Sequence, residues 1–272
     1  MTRLFGLISN DPHALCCALA FLEPDLDPSP ATSAGDGWGI GYFQQGRALL
    51  NKHPNAPAGA IDLLGELAGH PSDLVLGHIR LATHGPAKLE NTHPFRYGQY
   101  LFAHIGGVHE LARERLVAGL PAFLSRSLVG DTDSELIFML VLAALRAETG
   151  GLEQTAVTGG QLRNALRAGL AEAGEHRAAG PIGREDHPAV LLADGERLAA
   201  ASLGAGALQY RLVESVPACK KCVAAGRPSR LHHVRFTAVS SSVAEGASGW
   251  RPLKQGHSLL VERDMGIEVG AL

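Results

Sequence analysis

The sequence has 272 residues, of which 46% are hydrophobic and 5% aromatic, and its 24 Lys and Arg against 27 Asp and Glu give a formal net charge of -3. This length and apolar fraction are typical of a globular protein and exclude a disordered or fibrous chain. The slightly acidic balance, without a long run of Lys or Arg, argues against a nucleic-acid partner. Because the sequence contains no secretory segment and no stretch near the roughly 18 apolar residues of a membrane span, we expect a cytoplasmic protein that has no membrane partner.

The first half of the chain predicts strands separated by polar turns. Alternation from Arg3 to Ser9 indicates a strand that begins almost at the first residue. Asp11 is expected to cap a helix that continues to Leu22. Trp38 is expected to pack under the first strand, where its neighbouring glycines permit close backbone approach; a plain glycine-rich strand is the alternative. The other predicted elements are a hairpin of 38–43 and 48–52, a helix near 58–68, and strands at 74–81 and 100–104.

The second half predicts two helices and then a series of short strands. Thr132 or Asp133 would accept hydrogen bonds from first-turn amides of a helix that ends at the glycines 150–151. Another helix is expected near 162–173, before a polar loop that reaches 186. The predicted strands lie in the segments AVLLA, ERLAAAS, ALQYRLV, HVRFTAVS and HSLLVER. This order predicts an α+β protein whose helices cover a largely antiparallel sheet system, with residues 1–272 in one domain.

Thr2, a small hydroxyl residue, directly precedes the first predicted strand. Removal of the initiator methionine would leave its α-amine, which has an ordinary pKa of about 7.7 to 8.0, beside its own hydroxyl. One residue then supplies both a nucleophile and a general base. A Met-Thr start without catalytic meaning is the alternative.

Polar motifs in the middle of the chain suit the recognition of an α-amino acid. The segment GHIRLATHG at 77–85 ends a predicted strand with Arg80, whose guanidinium matches a carboxylate. ENTHPF at 90–95, FAHIGG at 102–107 and GDTDSE follow, and the last segment places Asp133 near a helix start. The carboxylate of Asp133 would hold an ammonium group. The structural alternatives are an ion pair for Arg80 and a helix cap for Asp133.

These motifs, together with MTRLFGL at the start, GDGWGIGYF at 35–43 and DGERL at 194–198, resemble those of the class II glutamine amidotransferases, which are N-terminal-nucleophile hydrolases. The resemblance is to the small single-domain members of the YafJ and EgtC type, and it covers nearly the whole chain in the same order. It implies a four-layer αββα sandwich that cleaves the γ-amide of glutamine or of a γ-glutamyl compound, with no cofactor and no metal.

The resemblance also implies roles for individual residues. Arg80 would bind the α-carboxylate of the substrate, and Asp133 would bind its α-ammonium group. Gly106 would provide a backbone amide to the oxyanion hole. The residues expected to line the pocket are Thr83 and His84.

Two positions depart from the family pattern. Thr2 stands where the family has a cysteine nucleophile, and a hydroxyl ionises far less readily than a thiol. Ile105 replaces the asparagine of the family's AHNG segment, and loss of one oxyanion donor costs a factor of about 10² to 10³ in rate. The sequence therefore predicts a slow hydrolase with Thr2 as nucleophile. The alternative is a degenerate homologue that binds a ligand or a partner. Since no synthetase or acceptor domain is recognisable, ammonia transfer would need a partner protein.

Histidines and cysteines form separate patterns. Packed or hydrogen-bonded imidazoles are expected for a histidine group without recognised metal-ligand spacing, with a metal site as the alternative; the group is His78, His84, His93, His104 and His109. The four cysteines are interpreted as reduced thiols, with the CKKC pair Cys219 and Cys222 exposed on a loop. A zinc site completed by His232 and His233 is the alternative, although adjacent residues point different ways on a strand.

Overall fold

A computed structural model of the chain describes residues 2–26, 37–54, 71–79, 87–106, 112–152, 157–175, 188–226 and 230–272. The predicted helix near 58–68 and most of the predicted loop up to 186 lie outside these residues. Among the described residues, no helix has the length and apolar character needed to cross a membrane.

The elements of the first half are mainly strands. In chain order they are β1 (Arg3–Ser9), α1 (Leu15–Leu22), β2 (Trp38–Gln44), β3 (Arg47–His53), β4 (Leu74–Ile79), β5 (Phe95–Tyr97) and β6 (Tyr100–Ile105). A 3-10 turn at Leu89–Asn91 precedes β5.

The second half begins with helices and ends with strands, as the sequence predicts. The helices are α2 (Arg113–Gly119), α3 (Ala122–Ser125), α4 (Asp133–Thr149) and α5 (Gly159–Glu175). They are followed by β7 (Ala189–Ala193), β8 (Arg197–Ser202), β9 (Leu208–Pro217), α6 (Lys220–Ala224), β10 (Arg230–Ser240), β11 (Arg251–Leu253), β12 (His257–Glu262) and β13 (Ile267–Ala271).

Two antiparallel sheets face each other between outer layers of helices, so the predicted four-layer αββα sandwich is confirmed. The seven-stranded sheet has the order β11-β9-β10-β1-β4-β2-β3, and the six-stranded sheet has the order β13-β12-β8-β7-β6-β5. Leu4, Leu76 and Leu191 belong to the core between the sheets. The outer face of the six-stranded sheet packs against α4 and α5, where the rings of Phe102 and Phe138 stack with centroids 5.1 Å apart.

The outer face of the seven-stranded sheet is covered by α1. Phe5, Leu7 and Trp38 lie in this outer core with residues of the helix, and β4 separates the strand of Trp38 from β1. The Trp38 ring also stacks on His53, with centroids 4.3 Å apart. Alternate residues of β1 therefore enter two different cores, which explains its almost continuous burial.

Local hydrogen bonding explains where two helices begin. The Thr132 hydroxyl accepts a hydrogen bond from the Glu135 amide at 3.3 Å, as predicted for a helix cap. The prediction that Asp11 caps α1 is wrong. Its Oδ1 accepts from the His13 amide at 2.8 Å in a turn that precedes the helix, and Ala14 occupies the cap position.

β1 is held between two neighbouring strands of its sheet. β10 pairs with one side of β1 and β4 pairs with the other. Both backbone groups of Leu4 bond to Ser241, since the Leu4 amide donates to Ser241 Oγ and the Ser241 amide donates to the Leu4 carbonyl, each at 2.9 Å. The backbone is thus held by neighbours on both sides two residues after Thr2.

Candidate functional site

The start of β1 lies beside two other strand ends, at one end of the seven-stranded sheet. Arg3 is opposite Ile79 in the pairing of β1 with β4, and Trp38 is opposite Ile79 in the pairing of β2 with β4. This end of the sheet therefore holds the first residue of β1, the last residue of β4 and the first residue of β2. Thr2 directly precedes the first residue of β1.

In the six-stranded sheet, β6 ends on the same side of the sandwich. A Cβ built on Gly41 would lie 2.9 Å from Leu101, and one built on Gly195 would lie 3.0 Å from the Phe43 ring. The first residues of β6 therefore lie over the middle of β2, and the β7–β8 turn lies over the end of β2. Since β6 runs away from this turn, Ile105 and Gly106 lie on the side of the sandwich where β1 starts.

The position of Thr2 directs it toward the space between the sheets. Leu4 and Ile8 lie in the core between the sheets, whereas Phe5 and Leu7 lie in the outer core. Because side chains of a strand alternate between faces, Thr2 occupies a position on the inner face. The residue is partly buried.

Gly106 ends β6 in a conformation that favours glycine. Its φ is +113°, and a Cβ at this position would lie 2.7 Å from the Cβ of Pro188. The preceding residue, Ile105, is 8% exposed and belongs to the core between the sheets. Ile105 therefore contributes apolar packing there, where an asparagine would provide a donor.

A hydrogen bond joins the end of β6 to the start of α4. His104 Nδ1 lies 2.9 Å from Ser134 Oγ; Ser134 directly follows Asp133, and His104 lies two residues before Gly106. Asp133, the first residue of α4, is partly buried. Among the described site residues, Thr2 and Gly106 lie at the same end of the sandwich, and the His104–Ser134 bond holds the start of α4, with Asp133, beside the end of β6. Arg80, Thr83 and His84 lie outside the described residues.

A buried carboxylate shapes the loop before Asp133. Glu135 accepts hydrogen bonds from the amides of Val129 at 3.1 Å and Gly130 at 2.8 Å. On the other side, Arg113 donates to the carbonyls of Gly130 at 3.0 Å and Thr132 at 3.2 Å. These bonds fix the backbone that leads into α4.

Replacing Glu135 by alanine is expected to lower the free energy of unfolding by about 3 kcal/mol, because it leaves two amides without their charged acceptor. Urea unfolding followed by circular dichroism measures this change. The matched control is Glu148→Ala on the same helix, whose exposed carboxylate accepts a solvent-exposed hydrogen bond from Asn164; its effect should stay below about 0.5 kcal/mol. Equal effects of the two variants would contradict the role given to Glu135.

Three of the histidines that the sequence analysis grouped are buried in packed or hydrogen-bonded positions. His78 and His93 are buried and stack with ring centroids 4.1 Å apart, and His104 is buried and bonded to Ser134. The prediction of packed or bonded imidazoles is confirmed for these three residues; His84 and His109 lie outside the described residues.

Lys52 is a feature of this region that the sequence does not mark. It lies opposite Gly39 in the β2–β3 pairing, and its Nζ is 5.3 Å from the centroid of the Phe95 ring. Burial lowers the pKa of the Lys52 ammonium to about 8, while the carboxylates of Glu135 and Glu90 oppose this shift. A lysine in a solvent-facing strand gives the same sequence pattern, so only the tertiary packing reveals its burial.

The cysteines meet in a second place, on the outer face of the seven-stranded sheet. The prediction of solvated loop thiols is wrong for Cys222, because this residue lies in α6, is 6% exposed, and has its Sγ 3.2 Å from that of Cys16. Cys219 directly precedes α6 and is partly exposed. The histidines considered as further ligands have other neighbours: His232 is 3.4 Å from Ser215 Oγ, and His233 is 3.1 Å from Asp11 Oδ2.

Comparison with known proteins agrees with the family suggested by the motifs. The family model described as glutamine amidotransferases class-II matches residues 1–211. The chain is 33% identical over 119 residues to the Saccharomyces cerevisiae protein named "Probable glutamine amidotransferase DUG3", a match covering 41% of this chain and 33% of that protein. A Haemophilus influenzae protein with a glutamine amidotransferase name is 33% identical over 154 residues, 54% of this chain and 48% of its own length. The chain thus spans between a third and a half of these relatives.

A solved structure has the same fold over the whole chain. The Pseudomonas aeruginosa protein described as a predicted glutamine amidotransferase superposes with a TM-score of 0.60 at 19% identity, covering 100% of this chain and 99% of that one. At this identity, the likeness concerns the fold alone.

Proposed function

The chain belongs to the class-II glutamine amidotransferases, and from this membership we propose that it hydrolyses the γ-amide of glutamine or of a γ-glutamyl compound with Thr2 as its N-terminal nucleophile. The observation that supports the proposal most is that the start of β1, which Thr2 precedes, and the end of β6, which the His104–Ser134 bond joins to α4, lie at the same end of the sandwich. A nucleophile, a backbone donor and a carboxylate match the carbonyl and ammonium groups of such a substrate.

The first half of the proposed reaction transfers the γ-glutamyl group to Thr2. Once Met1 is removed, the α-amine of Thr2 takes the hydroxyl proton while Oγ1 bonds to the γ-carbonyl carbon. The backbone amide of Gly106 stabilises the negative charge that develops on the carbonyl oxygen. The protonated amine then gives its proton to the leaving nitrogen and the C–N bond breaks, which forms an ester of Thr2 and releases ammonia from glutamine or an amine from a γ-glutamyl compound.

The second half of the reaction hydrolyses this ester. The α-amine removes a proton from water as the water oxygen bonds to the same carbon, and the returning proton releases the Thr2 hydroxyl and glutamate. Arg80 binds the α-carboxylate and Asp133 the α-ammonium group throughout, while Thr83 and His84 line the pocket. Ammonia leaves to solvent or passes to an acceptor or synthetase partner protein.

The burial of Ile105 favours a second candidate function. Its apolar side chain occupies the core between the sheets at the position that follows His104 and precedes Gly106. A chain without a side-chain donor there keeps the means to bind an amino acid but loses part of its power to stabilise an oxyanion. Under this second candidate function, the protein is a non-catalytic homologue that binds a ligand or a partner subunit.

Replacing Thr2 by alanine is expected to abolish glutamate release, because the variant has an α-amine but no oxygen nucleophile. The assay incubates the purified chain with glutamine and with a panel of γ-glutamyl compounds and measures glutamate by a coupled dehydrogenase. Thr2→Ser is the matched control, and it should retain measurable release because the hydroxyl is preserved.

Intact mass and ligand binding separate the two candidate functions. Loss of Met1 and Thr2-dependent release support hydrolysis. A retained Met1, or release that is equal in the unsubstituted chain and in Thr2→Ala, would overturn the proposed mechanism. Calorimetric binding of glutamine without turnover would support the binding module, and Asp133→Asn should then weaken that binding.

A further inference from the structure

We propose that the four cysteines of the chain form a zinc-binding site, independent of the proposed catalytic function. Their Sγ atoms all lie within 4.8 Å of one another, although the two pairs are about 200 residues apart in sequence. Cys16 and Cys17 lie in the first turn of α1, Cys219 directly precedes α6, and Cys222 lies within it.

The separations of the sulfur atoms suit one tetrahedral ion. Zinc binds thiolate sulfur at about 2.3 Å, so four ligands at tetrahedral angles are about 3.8 Å apart. The Sγ of Cys16 lies 3.9 Å from that of Cys17, 3.9 Å from that of Cys219 and 3.2 Å from that of Cys222. Changes of up to about 1 Å in the separations of the sulfurs, which all lie within 4.8 Å of one another, therefore place them around a common centre.

The same separations argue against two other chemistries of a four-cysteine set, a multinuclear iron–sulfur cluster and a disulfide. In an iron–sulfur cluster, thiolates on different irons are kept apart by intervening iron and sulfide atoms, whereas these sulfurs crowd around one point. All four cysteines are free thiols, and the shortest S–S distance among those given above, 3.2 Å, far exceeds the bonded length of about 2.05 Å. An arrangement of four sulfurs around one centre is typical of zinc.

The surroundings of the sulfurs also suit bound thiolates. The amide of Cys219 donates a hydrogen bond to Cys17 Sγ at 3.3 Å, the kind of outer contact that orients a metal ligand. A zinc ion with four thiolates carries a net charge of about -2. Lys220 and Lys221, the residues between Cys219 and Cys222, are exposed beside it and offset this charge.

The site would join two short helices that have little support of their own. α1 has 8 residues and no side-chain cap, and α6 has 5 residues. Isolated helices of this length are unstable in water. A shared ion would fasten α1 to the connection between β9 and β10, at the end of β1 that is remote from Thr2.

The test uses the full chain purified under reducing conditions in the presence of zinc, followed by extensive dialysis. We expect about one zinc ion per chain by elemental analysis, released when the thiols are modified with a mercurial. Cys16→Ser and Cys222→Ser should each reduce the content below about one tenth of an equivalent. The matched control His232→Ala/His233→Ala removes the other nearby candidate ligands and should keep its zinc.

Cobalt substitution of the unsubstituted chain keeps the test decisive if a cysteine variant fails to fold. A four-thiolate site gives an intense thiolate-to-Co²⁺ charge-transfer band with tetrahedral visible bands, and zinc should displace both. Absence of zinc together with absence of this band would overturn the proposal. It would equally be overturned by iron with acid-labile sulfide, by a disulfide in the reduced preparation, or by zinc that survives in the cysteine variants.

Discussion

A chain that carries Thr2→Cys and Ile105→Asn together is expected to release glutamate from glutamine at least about 10² to 10³ times faster than the unsubstituted chain. The asparagine adds a side-chain donor next to Gly106, and one oxyanion donor contributes a factor of this size. The thiol at residue 2 adds to the gain, because a thiol ionises much more readily than a hydroxyl. Steady-state release of glutamate, with Met1 removal checked by mass, measures the change.

The two single variants are the controls for this gain. Thr2→Cys alone should still lack the donor, and Ile105→Asn alone should still lack the thiol, so each should gain less than the double variant. Because Ile105 is 8% exposed, its replacement by asparagine buries polar atoms and is expected to cost about 1 to 3 kcal/mol of stability. A folded double variant that binds glutamine and hydrolyses it no faster would contradict the assignment of these two positions.

Gly39→Ala is expected to lower the free energy of unfolding by about 3 kcal/mol. A Cβ on Gly39 would lie far inside van der Waals distance of the His93 carbonyl oxygen, which is a backbone atom and cannot rotate away. The residues beside it resist a shift, since the His93 ring is buried against His78 and the Thr92 amide bonds to the Leu89 carbonyl at 3.2 Å. Urea unfolding measures this loss, provided that the dependence of the unfolding free energy on urea concentration is the same in both chains.

The close approach at Gly39 also affects the loop that leads to Asp133. Asn91, in the same segment, accepts a hydrogen bond from the Asp131 amide at 2.9 Å, so displacement of the segment disturbs the loop before Asp133. We therefore expect weaker glutamine binding by Gly39→Ala as well. Gly119→Ala is the matched control, because a Cβ there meets nothing within 4 Å and alanine suits the helix. Similar losses in both variants would contradict the close approach at Gly39.

Several elements could be predicted because their signals are local. Alternation in 3–9 predicts β1, and the hydroxyl at Thr132 followed by an apolar run predicts α4, as the structure bears out. Short helices without strong caps were not predicted, among them α2 and α6, since such helices depend on packing rather than on their own propensity. Asp11 was misplaced as a cap because a turn and a helix start use the same side-chain hydrogen bond.

By itself, the sequence determined the family, the layered fold class and the candidate residues Thr2, Gly106, Arg80 and Asp133, because ordered motifs and residue periodicity are preserved along the chain. Only the tertiary structure decided which distant residues come together: Cys16 and Cys17 lie beside Cys219 and Cys222, and the start of β1 lies beside the end of β4. It also decided that Lys52 is partly buried and that Gly39 faces a carbonyl. The physical reason is that packing and strand register depend on contacts between segments far apart in sequence, which local patterns do not encode.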